Sequence, residues 1–223
     1  MLIGKTMLKP LKFKGDEYKF FYISDFHHHH DRDFIWGKRE FKSVEESDAT
    51  LIQRWNETCD EESIVFHLGD FIFSDGTGEK FYKLIERLRF KELNLLLGNH
   101  VSGQRQAYQK QMKEQFGEVD FEVYPLSFIH QGKKITFLPQ YVEMYVNSTE
   151  IVCCHYPIIS HNGLSKRALH FCGHSHGGCE ITNKDTGKGF RLDVGVESFG
   201  RPISLKEAKN YLKDRTIDTV DHH

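Results

Sequence analysis

SDFHHHH (24–30), HLGDF (67–71), LLGNH (96–100), CCHYP (153–157) and CGHSHGG (172–178) decide how this chain is read. Each block ends an apolar run with side chains that bind metal ions. The runs have the length of buried strands: Phe20 to Ile23, Ile64 to Phe66, Leu93 to Leu97, Ile151 to Cys154 and Ala168 to Cys172. Open α/β sheets place their sites at the carboxyl ends of strands, so the blocks are expected to meet in one crevice. Pooled, they offer Asp25, His27, Asp70, Asn99, His155, His174 and His176. Carboxylate, amide oxygen and imidazole suit two borderline divalent ions, not a thiolate zinc site.

The segments between the blocks read as helices first and strands later. Ser43 with Glu46 has the form of a capping box. It opens a helix carrying Asp48, with Leu51, Ile52 and Trp55 as an apolar stripe. A second helix fits Glu79 to Phe90, and a third, mostly polar, fits 103–116 with Tyr108, Met112 and Phe116 aligned. From Phe121 to Val146 the pattern turns to strands, with a hairpin turn at His130 to Lys133. Gly187 to Gly189 reads as a hairpin between Glu180 to Thr182 and Phe190 to Val194. Ser204 and Glu207 form a second capping box, opening a helix through Leu212. Alternation followed by more sheet predicts two mixed sheets packed face to face with helices outside.

At 223 residues, with no linker or repeat, a single domain over 1–223 is the simplest reading. A net charge of −2 gives no reason to expect a surface that coats a polyanion; nucleic acid is not excluded, but it is not suggested. No apolar stretch approaches a membrane span, and residues 1–17 lack the apolar core of a signal peptide. The five cysteines have no framework spacing. Buried thiols in a reducing cytoplasm are expected.

Two divalent ions a few ångströms apart need a bridging ligand. Asp70, in its Gly-flanked turn, is the natural one. Asp25, His27 and His176 would complete one ion; Asn99, His155 and His174 the other. His174 and His176 are two apart, as are Asp25 and His27, and on extended segments each pair would point the same way. Water held between such ions loses a proton near neutral pH and attacks a phosphorus centre in line. His100 follows the ligand Asn99 and is expected to reach the leaving oxygen as general acid. Manganese leads the candidate metals, with iron, zinc and nickel also suited to this donor set.

Asp25-Phe26-His27, Gly69-Asp70, Gly98-Asn99-His100, the lone His155 and Gly173-His174-Ser175-His176 resemble the pattern of the calcineurin-like metallophosphoesterases. The likeness runs over roughly residues 20–205. A narrower similarity, to small bacterial and phage phosphoesterases, rests on His30, on Glu45-Glu46-x-Asp48 running into Trp55-Asn56, on His67 to Phe71 and on Tyr156-Pro157. The resemblance implies a four-layer α/β/β/α sandwich, a di-metal centre and phosphate-ester hydrolysis. That pattern usually has an acid after Gly-Asn-His, where this chain has Val101. His100 must therefore find another partner or work with a lower pKa.

The expected activity is hydrolysis of a small phosphomonoester or phosphodiester, nucleotides and cyclic nucleotides among the candidates. A metal-dependent nuclease and a non-catalytic scaffold on the same fold are the alternatives. The first would need a basic track that the composition lacks; the second typically loses ligands that are all present here. His30, Arg39 and Arg201 are candidate phosphate contacts, with a solvated loop histidine and surface salt bridges as the competing roles. His28 and His29 are expected to be exposed or structural rather than ligands. His67, His130, His161 and His170 are expected to be core histidines bonded to backbone, and His222 and His223 a frayed tail.

Overall fold

The computed structural model describes residues 8–73, 76–178 and 189–217. Eleven strands among them form two mixed sheets. The six-stranded sheet runs β11-β2-β3-β4-β6-β5, from β11 (Ile203–Ser204), β2 (Phe20–Ile23), β3 (Ile64–His67), β4 (Glu92–Leu95), β6 (Lys133–Phe137) and β5 (Leu126–His130). Its four central strands are parallel and the two at its edges antiparallel. The five-stranded sheet runs β1 (Leu11–Phe13), β7 (Tyr141–Val146), β8 (Thr149–Cys154), β9 (Leu169–Cys172), β10 (Arg191–Asp193). The expected α/β sandwich of two mixed sheets is thus the architecture of the protein.

Strand alternation divides the core. Phe20, Tyr22, Phe66 and Leu96 face Met144, Ile151, Cys153, Phe171 and Leu192 between the sheets. The opposite face of the larger sheet offers Phe21, Ile23, Val65, Leu93 and Phe137 to the helices α2 (Val44–Thr58), α3 (Glu79–Arg87) and α4 (Ser102–Phe116). Parallel strands need crossovers, and these helices supply them. Ser43 caps α2 as its side chain accepts from the Glu46 N–H, and Trp55 is its fully buried anchor. α6 (Leu205–Leu212) opens with a complete capping box and lends Leu205, Ala208 and Leu212 to the core between the sheets. The outer face of the smaller sheet is covered partly by the loop after His155, where Ile158 N–H donates to His170 Nε2 and Arg191 donates to the Ile159 carbonyl.

Some sequence expectations fall differently. Gln104 and Gln111 on the polar helix α4 are buried, while the aligned Phe116 is half-exposed. Phe121 and Val123 belong to no strand. β10 pairs with β9 in parallel. Glu180 to Thr182, the turn residues Gly187 and Lys188, Cys179 and the terminal His222 and His223 lie outside the described residues. The other four cysteines are free and buried. No helix among the described residues is long and apolar enough to cross a membrane.

Candidate metal centre

Five strands, β2, β3 and β4 of one sheet and β8 and β9 of the other, end at the same rim, and their ligand-bearing turns converge there. Asp25, His27, Asp70 and His155 form a buried floor, His176 is half-buried, and Asn99 and His174 stand at the solvent edge. Asp70 Oδ2 lies 3.5 Å from His27 Nε2 and 3.5 Å from His155 Nε2. Asp25 Oδ1 lies 4.0 Å from both His27 Nε2 and His176 Nε2. Asn99 Oδ1 is 2.8 Å from His155 Nε2 and 2.9 Å from His174 Nδ1. The seven side chains are thus brought together, with Asp70 between His27 and His155, and Asp25 close to both His27 and His176 and to Asp70 and His155.

The backbone makes this convergence, though not through extended segments. Asp25, His27, Asp70, His174 and His176 all have positive φ, between 48° and 66°. The two-apart pairs therefore meet through tight turns instead of strand alternation. Glycine makes room for the carboxylates. A Cβ at Gly98 would collide with Asp70 Oδ1, and one at Gly173 with Ser24 Oγ and Asp25 Oδ2. The carboxylates are also held by main-chain donors: His100 N–H donates to Asp70 Oδ1 at 2.8 Å, and His174 N–H to Asp25 Oδ2 at 2.9 Å.

The imidazoles are oriented from behind. His155 Nδ1 donates to the Leu68 carbonyl at 2.9 Å, which leaves Nε2 as a bare lone pair facing Asp70. His176 Nδ1 donates to Glu197 Oε1 at 2.7 Å, and its Nε2 faces Asp25. His27 Nδ1 shares a hydrogen bond with His30 Nδ1 at 3.2 Å. His27 Nε2 is buried between two carboxylates with no hydrogen-bond partner among the described residues. Lone pairs and carboxylates facing one another in a buried site are the donor set of a cation, and a divalent metal fits them.

Electrostatics follow from burial. Desolvation pushes the Asp25 carboxyl up to about 8 in the metal-free protein, with Glu197, Asp70 and Asp193 adding to the rise and His176 opposing it. Burial holds His27 far below its ordinary range and lowers His155. Burial also acts to lower His176, but the hydrogen bond and charge of Glu197 outweigh it, so the net shift is upward.

Two residues of this centre escaped the motif reading. Glu197, on the four-residue helix α5 (Val196–Phe199), orients His176. Asp193, at the end of β10, accepts from Ser175 Oγ at 2.6 Å and from the Gly177 and Gly195 N–H groups, which shapes the turn that holds His174 and His176. The strand-like segment Phe190 to Val194 carries Asp193 and is followed by Glu197, a weaker form of the signal in the five blocks.

Arg39, a sequence candidate for phosphate, is buried. It donates to Glu197 Oε1 at 2.8 Å and to the carbonyls of Asp25 and Phe26. Its guanidinium braces the site from inside and is neither a surface ion pair nor open to a ligand. Arg201 is engaged with Glu207 at 2.6 Å. His30 is buried in the wall, its ring stacked on Phe73 at 4.4 Å and lying 5.4 Å from the ring of His100. His100 itself is exposed at the mouth. Exposed Phe34 and Phe73 flank the His30 side, and half-exposed Tyr156 lies against His174 at 4.7 Å.

The remaining histidines divide. His170 is bonded to backbone, with Nδ1 at the Val152 carbonyl and Nε2 accepting from Ile158, and His161 Nδ1 donates to the Asn162 carbonyl. His67 is fully buried, but neither ring nitrogen has a hydrogen-bond partner among the described residues, because Phe26 and Phe71 surround it in place of backbone. His130 is not in the core: it pairs with Glu86 at 2.8 Å on an edge strand. His28 is buried rather than exposed.

No family model matches the chain. The uncharacterized protein MJ1445 of Methanocaldococcus jannaschii is 32% identical over 112 residues, which span 50% of this chain and 58% of that protein. A crystal structure of AQ665 from Aquifex aeolicus, a protein of unknown function, matches with a TM-score of 0.56 at 21% identity, covering 86% of this chain and 97% of that one. That likeness concerns the fold.

Proposed function

We propose that this protein is a divalent-metal-dependent hydrolase of small phosphate esters, of the calcineurin-like metallophosphoesterase type. The observation that carries the reading is Asp70 Oδ2, equidistant at 3.5 Å from His27 Nε2 on one side and His155 Nε2 on the other. A single carboxylate between two imidazole groups is the arrangement a two-ion centre needs. Asp25, His27 and His176 would hold one ion and Asn99, His155 and His174 the other, with Asp70 shared. Bound there, the ions supply the Lewis acidity and water activation of phosphoryl transfer, and manganese leads the suitable metals.

The chain's own groups account for the rest. His100, exposed beside His27 and His30, donates a proton to the leaving oxygen. Its main-chain N–H fixes Asp70, so one residue couples bridge and acid. With Arg39 turned inward, phosphate recognition falls to the metals, His30 and His100. The net charge of −2 favours a small ester over a long polyanion. Buried free thiols suit a reducing compartment, and we assign the reaction to the cytoplasm.

The test is a substrate panel with metal-reconstituted protein: monoesters, linear diesters, 2′,3′- and 3′,5′-cyclic nucleotides and single-stranded nucleic acid. Asp70→Asn should carry less metal than wild type and lose several orders of magnitude of turnover. Undiminished metal content with near-normal turnover in Asp70→Asn would overturn the assignment. So would a wild-type protein that binds two metals and hydrolyses no ester of the panel.

A further inference from the structure

Next to the ligand His27, the loop places a second group of metal-binding atoms that the centre does not use. His28 Nδ1 lies 3.1 Å from Asp48 Oδ2, and His29 Nδ1 lies 3.5 Å from the same oxygen. The three donor atoms all lie within 4.8 Å of one another. Asp48 comes from the second turn of α2 and is buried, and His28 is 2% exposed. The His29 side chain is 38% exposed, so the group opens to solvent on one side.

The hydrogen-bond pattern does not account for this packing. Asp48 accepts the His29 main-chain N–H, at 3.1 Å on Oδ2 and 3.4 Å on Oδ1. The imidazole of His28, though close to the carboxylate, makes no hydrogen bond through Nδ1, which is buried without a partner among the described residues. An orphaned buried ring nitrogen aimed at a carboxylate costs free energy unless something else satisfies it. A positive φ of 61° at His29 turns its ring to the same side as His28, with ring centroids 4.2 Å apart.

The separations fit a tetrahedral ion. Zinc bonds nitrogen and carboxylate oxygen at about 2.0–2.1 Å, so the edge of its tetrahedron is about 3.3 Å. The two imidazole–carboxylate separations, 3.1 and 3.5 Å, bracket that edge, and the two imidazoles lie within 4.8 Å of each other. Two imidazoles, one carboxylate and an open fourth position are the donor set of a mononuclear zinc-class site.

We propose that His28, His29 and Asp48 form a third metal site, mononuclear and specific for a borderline divalent cation such as zinc. It stands apart from the two-ion centre in its ligands but adjoins it in sequence. An ion there ties the 27–30 loop to α2. It thereby fixes the backbone that presents His27, and occupancy of this site raises the affinity of the two-ion centre.

The inference is tested on the full chain by metal content, without reference to turnover. Metal-stripped protein is dialysed against zinc and counted by elemental analysis. Wild type should carry one metal more than His29→Gln, and the same difference should separate it from Asp48→Asn. His29→Gln alters a part-exposed side chain, and an unchanged far-ultraviolet spectrum and melt would show its fold intact. Asp70→Asn should keep this ion while losing metal at the other centre. Equal metal content in wild type, His29→Gln and Asp48→Asn would overturn the third site and leave the proposed function standing. A single zinc lost in His29→Gln but kept in Asp70→Asn would support the third site and count against the two-ion reading.

Discussion

Replacing Glu197 by glutamine isolates the contribution of a charge that touches no substrate. Its Oε1 accepts from His176 Nδ1 at 2.7 Å and from Arg39 Nε at 2.8 Å. Its Oε2 has no partner among the described residues, so the amide nitrogen of glutamine can stand there without breaking a bond. Both hydrogen bonds keep their donors: the one from His176 becomes a bond to a neutral acceptor, and the one from the Arg39 guanidinium loses its counter-charge. Bonds to charged groups contribute about 1.5–3 kcal/mol against about 0.5–1.5 for neutral pairs, so two weakened bonds cost about 2 kcal/mol. For a chain of this size that is a melting temperature lower by about 4–8 °C. Loss of a carboxylate behind a metal-binding imidazole weakens metal affinity by about 10–100-fold. Glu197→Ala should be worse for folding, by about 3–5 kcal/mol, because it leaves the buried Arg39 unpaired. Competition of the metal-free protein against a chromophoric chelator measures the affinity, and a thermal scan measures the stability. Metal affinity within threefold of wild type, in a Glu197→Gln protein that melts normally, would refute the role given to this residue.

Three further outcomes follow from the same geometry. Folded and metal-free, Asp25 keeps its proton up to about pH 8, whereas unfolded it ionises near pH 4. Its contribution to stability is therefore present at low pH and lost as pH rises towards 8, so melting of the stripped protein should show a downward component over that range that Asp25→Asn and metal loading both remove. Gly98→Ala forces a Cβ onto the Asp70 carboxylate and to 2.6 Å from the Asp70 nitrogen, so metal analysis should find less metal than in wild type and melts a loss of about 1–3 kcal/mol. His100→Ala should keep its metals yet slow esters with poor leaving groups by about a hundred- to ten-thousand-fold while sparing a nitrophenyl ester; equal losses on both would favour simple phosphate binding.

The strands that carry the ligands were legible because each is a short apolar run that ends in polar chemistry. The shortest strands and the one-turn helix were not. β1 and β11 are too short for alternation to register, and α5 is a single turn. Glu197 was missed for that reason, although the end of Phe190 to Val194 points to it. Arg39 was legible as a cation but not as a buried one. Its burial depends on Glu197, 158 residues away in the chain. His67 is the converse case: its place on a buried strand was readable, but its lack of hydrogen bonds arises from aromatic neighbours on other elements.

The backbone of the centre bears on why these residues sit as they do. A left-handed φ in a residue other than glycine costs about 1 kcal/mol or more, and asparagine and aspartate pay least. Of the five ligands in that region, three are histidines and two aspartates. The two sheets hold these turns in place: His27 N–H donates to the Asp70 carbonyl and Asp25 N–H to the Gly69 carbonyl on the larger sheet, and Gly173 N–H to the His155 carbonyl on the smaller one. Each of these bonds links one ligand turn to another, so no turn can relax without disturbing its neighbour. Strain fixed in this way, and confined to the turns that carry the ligands, is what a pre-organised site requires: the donor atoms are brought together by folding, and binding need not order them again.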